Sequence, residues 1–104
     1  MLFMVISTPR PEQPSKLRRS QRGWWEWIHP LERSGVVKAL YIKVGRGAVV
    51  VFDVASNEEL HSLVNQWSEF IPAEFQVLPL ADTSYQEKIA KAGGSPLKRK
   101  SRGR

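Results

Sequence analysis

The sequence has no cysteine, and that absence excludes disulfides, thiolate metal sites and a cysteine nucleophile. It also lacks any run approaching the ~20 apolar residues that cross a bilayer. The opening MLFMVIST is apolar, but no basic segment precedes it, and the TPRPEQP behind it lacks a signal-peptide cleavage pattern. A soluble cytoplasmic protein with no membrane contact is the expectation. No repeat recurs at a solenoid period. Acidic residues are missing from the end of the chain: residues 1–87 hold nine basic and ten acidic residues, whereas 88–104 hold seven basic and none acidic. The net charge of +6 is thus concentrated in a tail, and the rest of the chain is near neutral. At 104 residues the chain is one domain with a modest core, for which self-association is a natural outcome.

What is present reads as alternating strands and helices. Met1–Thr8 is a continuous apolar run with β-branched members, bounded by Pro9 and Pro11, which predicts a strand covered on both faces. Ser15 is placed to cap a helix over Ser15–Ser34, in which Leu17, Gln21, Trp24, Ile28 and Leu31 share one face. Pro30 is expected to kink or break it, and Gly35 to stop it. Val36–Val44 and Gly47–Val54 form two strands around Gly45-Arg46-Gly47, whose glycines permit positive φ in a tight turn. Ser56-Asn57-Glu58-Glu59 has capping-box spacing, and Leu60, Leu63, Val64 and Trp67 then make a helical stripe. Glu74–Leu80 is a fourth strand in which Pro79 favours an edge, and Thr83–Ala92 is a short terminal helix.

Strand, helix, strand, strand, helix, strand is the split-βαβ order. It predicts an α+β, ferredoxin-like βαββαβ domain over 1–92 with a four-stranded antiparallel sheet, followed by a basic disordered tail over 93–104. Both helices cover one sheet face, yet strands one and three are apolar on both. The uncovered face therefore predicts a homodimer with sheets packed together.

The opening Met1-Leu2-Phe3 with Val5, the Gly35–Gly45 glycine spacing, and above all Val51-Phe52-Asp53-Val54-Ala55-Ser56-Asn57-Glu58-Glu59-Leu60-His61 resemble the muconolactone isomerase family. The resemblance covers roughly residues 1–80. It implies a dimeric α/β-barrel, often assembled into rings such as decamers, and a pocket between helices and sheet for small lactones. It implies no metal and no organic cofactor. The family's acidic residue on the first helix falls on or beside Trp24, a family tyrosine near Gly47, and a family histidine near Ala39.

Lactone isomerisation moves a proton between carbons, so it needs a base, a donor and a group that holds an enolate oxygen. Glu26 lies among Trp24, Trp25 and Trp27, a setting that favours a protonated carboxyl; alternatively it is a solvated partner of Arg22. His29 can shuttle a proton or simply sit well in the helix's last turns. These two are the catalytic candidates. Trp24 and Trp25 can wall a pocket for a flat ligand, or serve as core or oligomer contacts. Tyr41 and Lys43 share a strand face with Ala39 and Val37, and bind a substrate oxygen if that face looks into the pocket. Otherwise they belong to a dimer seam or solvent rim. His61, beside the second helical stripe, is a substrate-binding candidate or a structural histidine. Asp53 and Ser56 are read as structural.

Three function classes follow. A cofactor-free isomerase or related lyase on a lactone or aromatic-derived acid leads. A non-catalytic ligand-binding or oligomerisation module is the alternative, and cofactor-free monooxygenases and dehalogenases also use such a scaffold. Nucleic-acid binding through the tail is the third class and is not favoured over a solvated tail.

Overall fold

The computed structural model describes residues 1–93. Strands β1 (Leu2–Pro9), β2 (Val37–Ile42), β3 (Ala48–Asp53) and β4 (Ala73–Leu80) form one antiparallel sheet in the order β2-β3-β1-β4. Helix α1 (Arg18–Ser34) joins β1 to β2, α2 (Asn57–Phe70) joins β3 to β4, and α3 (Thr83–Gly93) follows β4. This is the ferredoxin-like α+β arrangement read from the sequence, with β4 and its Pro79 at an edge.

The pairings assign each side chain to a face. Phe3, Val5 and Ser7 of β1 and Ala48, Val50 and Phe52 of β3 are buried beneath the helices. Trp24 and Ile28 of α1 and Leu60, Leu63 and Trp67 of α2 close the core from above. The alternate residues Leu2, Met4, Ile6, Val49 and Val51 lie on the other face and are only half-buried. Leu78 and Leu80 of β4, paired beside Met4 and Leu2, extend that face and are exposed. The single chain therefore shows β1 and β3 covered on one face, with an apolar surface left on the other.

Several local readings change. The chain enters α1 through a 3-10 turn, Pro14–Leu17, so Ser15 caps nothing. Pro14 itself starts that turn, where its missing N–H leaves no bond unmade. Pro30 lies within α1 and does not break it. It removes one backbone donor near the end of a helix whose inner side is anchored on both sides of it, by Trp24 and Ile28 before and Leu31 after. Gly35 ends α1 at φ 90°, as expected. A register shift between Val37 and Ala39 separates two residues expected on one face. Val37 is buried under the helices, opposite Phe52, while Ala39 and Tyr41 pair with Val51 and Val49 on the open face.

At α2 the Ser56 hydroxyl accepts the Glu59 N–H at 3.1 Å. The Glu59 carboxylate reaches back one residue further than the capping box requires and accepts the Ala55 N–H at 2.8 Å. Asp82 precedes α3 and accepts the Ser84 N–H at 2.8 Å, which holds its carboxyl below the usual carboxylate range. The basic tail lies, from residue 94 on, outside the described residues. No helix among the described residues is long and apolar enough to cross a membrane.

Candidate functional site

A cavity of about 240 Å³ opens between the helices and one end of the sheet. Ser7 and Ala48 form its floor, and Gln21, Trp24 and Trp25 of α1 with Trp67 and Ile71 form its walls. Pro9, Ile42 and the Gly45-Arg46-Gly47 turn shape the mouth. Cavities of ~150 Å³ hold benzene, so this one has room for a substituted single ring.

The floor depends on two backbone devices. The last paired residues of β1 and β3 are Ile6 and Val49. Just beyond them, the buried Ser7 hydroxyl accepts the Ala48 N–H at 2.9 Å. Gly47, at φ 106°, sits so close that a Cβ there would stand 2.4 Å from the Ser7 carbonyl oxygen. Glycine is required at that position, which brings the turn tight against β1. Arg46 then ties the mouth together: its Nη1 donates to the Arg10 carbonyl at 2.9 Å and the Glu12 carbonyl at 3.1 Å.

The walls are aromatic. Trp24 meets Trp25 edge-on at 4.9 Å between ring centroids and Trp67 at 5.4 Å. Trp27 lies on the same helix but donates from Nε1 to Gln66 Oε1 at 2.7 Å, which pins α1 to α2. Trp24 is 3% exposed, and its Nε1 finds no acceptor among the described residues. Buried polar groups are nearly always partnered, so this indole N–H stands out as an unpartnered donor.

The candidates named from sequence are divided by this geometry. Trp24 and Trp25 line the cavity. Glu26 and His29 are exposed on α1 outside the lining. Glu26 forms no ion pair with Arg22 among the described residues. His29 Nδ1 meets Glu32 Oε1 at 2.9 Å, and its ring stacks on Trp25 at 5.4 Å. Tyr41 lies on the open sheet face, 70% exposed. Lys43 donates to Thr8 Oγ1 at 3.2 Å, also away from the lining. His61 is exposed on α2, its Nε2 accepting from the Asn65 amide at 3.2 Å. Ser7, Gln21 and Arg46 were missed. Gln21 sits on the α1 stripe and carried a polar signal at an apolar position; Ser7 and Arg46 reach the site only through tertiary packing.

The sheet order and the two helices over one face define a ferredoxin-like α+β domain, with the cavity beneath α1. The chain belongs to the family described as Domain of unknown function (DUF3303), whose model matches residues 1–94. It belongs as well to the muconolactone isomerase family: a muconolactone isomerase crystal structure is 30% identical, with TM-score 0.66, over 79% of this chain and 90% of that one. A second similar structure is 5-chloro-2-hydroxyhydroquinone dehydrochlorinase (TftG) from Burkholderia phenoliruptrix AC1100, in complex with 2,5-dihydroxybenzoquinone. That pair shares 16% identity and a TM-score of 0.69 over 82% of this chain and 98% of the other, a likeness of fold. No curated protein sequence matches the chain significantly.

Proposed function

We propose that this domain binds a small, flat, oxygen-bearing ring compound in the cavity under α1. The observation that carries the reading is an aromatic cavity walled by Trp24, whose buried Nε1–H has no acceptor among the described residues. The ligand packs against the Trp24 and Trp25 indoles, and a small shift of the wall lets one of its carbonyl or ring oxygens accept the Trp24 N–H. The test is the ¹H–¹⁵N spectrum of the four tryptophan indoles during titration with a panel of lactones, quinones and aromatic acids. The Trp24 resonance, assigned by its loss in Trp24→Phe, shifts with ligand while the Trp27 resonance holds. A panel in which no compound moves the Trp24 signal contradicts the reading.

The second reading is turnover: a proton-shifting isomerisation, or a related elimination, on a lactone or aromatic-derived acid. It is favoured by the 30% identity to a muconolactone isomerase over most of that enzyme's length. In it Glu26 and His29 carry the proton. Trp25, 37% exposed, stacks between the cavity it lines and His29, so the indole must swing aside to open a path for the imidazole. Turnover that survives both His29→Ala and Glu26→Gln excludes this assignment.

Assembly is part of the proposal. The open sheet face bearing Met4, Ile6, Val49, Val51 and Leu78 meets the same face of a second copy, which removes the apolar surface from water.

A further inference from the structure

The walls of the cavity differ in how firmly they are held. Trp24 and Trp67 are at most 3% exposed, set in the core between helices and sheet. Trp25 lines the same cavity and is 37% exposed. Its indole rests between two rings. It meets Trp24 edge-on at 4.9 Å between centroids, and the His29 imidazole stacks on it at 5.4 Å with the planes 29° apart. Trp24 is fixed, whereas His29 is exposed and can leave. A wall that shifts to admit a ligand therefore shifts at Trp25, and His29 is the support it must shed.

His29 is itself held from the far side. Its Nδ1 lies 2.9 Å from Glu32 Oε1, and because a carboxylate only accepts, Nδ1 carries the hydrogen. Other charges near the imidazole are on the same helix: Glu26 three residues before it and Arg33 four after. The strand packed against α1, β2, puts Leu40 and Ile42 on the helix face, paired with Val50 and Ala48. Of the β2 side, Lys38 has its Nζ beside Gly35, past the end of α1, and Lys43 is bonded to Thr8. Lys16 of the 3-10 turn belongs to the opposite end of α1. Helix α2 packs on the other flank, at Trp27, and its Glu58, Glu59, His61 and Glu69 form no ion pair with α1 among the described residues. Glu32 is thus the charged group bonded to His29.

Resting on the reading of the cavity as a ligand site, we propose that Trp25 is its gate and that the His29–Glu32 pair is a pH-dependent latch on that gate. With the imidazole stacked, the indole closes the outer wall; when the stack parts, the indole swings out and the cavity opens. Protonation places a positive charge over the indole face, within the ~6 Å reach of a cation–π contact. It also makes the bond to Glu32 charge-assisted. Both gains belong to the stacked arrangement, so proton binding and latching favour each other. Acid closes the gate and base loosens it, across the ordinary histidine range near pH ~6.5.

The probe is phenol, a single ring that stays uncharged over this range, followed by the line shape of the Trp24 indole resonance in the full chain. Phenol exchanges about twofold to fivefold more slowly at pH ~5.5 than at pH ~7.5, the worth of an exposed cation–π contact. His29→Phe keeps a ring on Trp25 and removes the titration, so the two rates become equal. His29→Ala leaves exchange fast at both, and Glu32→Ala shrinks the difference. His61→Ala removes the other histidine and leaves the pH dependence in place. A second measurement needs no ligand: ¹⁵N relaxation of the Trp25 indole, assigned by its loss in Trp25→Phe, on the ps–ns and μs–ms scales. It shows a stiffer ring at pH ~5.5 than at ~7.5, with Trp24 unchanged. Equal phenol rates in the parent, or a pH dependence that survives His29→Phe, overturns the latch and leaves the ligand site intact. If neither phenol nor any compound in the wider panel moves the Trp24 resonance, the site reading falls. The Trp25 relaxation then decides the latch alone, and equal mobility at the two pH values overturns it.

Discussion

Trp24 faces two demands that a single residue rarely meets together. Its ring fills the core against Trp67, which favours any large aromatic, whereas its N–H is buried without an acceptor among the described residues. Trp24→Phe keeps a ring and removes the unpartnered donor. The relief of a buried polar group, ~1–3 kcal/mol, offsets the packing lost with the smaller ring. The variant's melting temperature should therefore stay within a few degrees of the parent's, while ligand affinity falls about 2- to 10-fold for one lost neutral hydrogen bond. A large drop in stability with affinity unchanged would assign Trp24 to the core alone. At this scale the sequence was half legible. The three tryptophans between residues 24 and 27 were visible as a cluster, but periodicity could not tell which one keeps its N–H free. That depends on Gln66, a helix away, which takes the Trp27 donor. Glu26 and His29 drew notice for their chemistry, and the helix turned them outward because indoles occupied the inward positions.

Helix α1 shows what tertiary anchoring does to a local signal. The proline rule predicts a break at Pro30, and the rule is sound for an isolated helix. Here the buried Trp24 and Ile28 before Pro30 and the half-buried Leu31 after it hold both segments on the same sheet, so the missing bond is tolerated. Pro30→Ala restores the donor to the Glu26 carbonyl. It should stabilise the domain by ~1–2 kcal/mol, the helix gain being reduced by the greater freedom of the unfolded chain. Urea denaturation checks this, and a loss of stability would mean that the proline shapes the packing of α1 rather than being endured by it. The strands and α2 were legible because their signals were redundant: Ser56 and Glu59 cap α2, two glycines take positive φ in one turn, and apolar runs end at prolines. The bulge in β2 was not. Nothing in Val37-Lys38-Ala39 marks a shift of register, and the shift arises because Val37 must reach Phe52 while Tyr41 pairs on the outer face with Val49.

At the scale of the molecule, a four-stranded sheet with helices on one side leaves its second side to be accounted for. Met4 lies near the middle of that side, paired with Val51 on one flank and Leu78 on the other. Its neighbours are aliphatic, and charged residues lie toward the periphery: Glu74 at one end of β4, Lys43 past the end of β2, Asp53 at the end of β3. An apolar centre with a polar rim is the pattern of an interface core. The cavity lies on the opposite side of the sheet, beneath α1, so the two surfaces can be tested apart. Met4→Glu places a carboxylate in the centre of each face, and in a symmetric pair the two charges are brought near each other without a partner. Sedimentation at micromolar concentration should show the parent as a dimer or larger assembly and the variant as a monomer. Because Met4 is remote from the lining, the monomer should still shift the Trp24 indole resonance with ligand, at an affinity within about threefold of the parent's. A parent that is itself monomeric would remove the sheet-to-sheet pairing. A variant that is monomeric and no longer binds would mean that the partner completes the cavity, tying assembly to ligand binding.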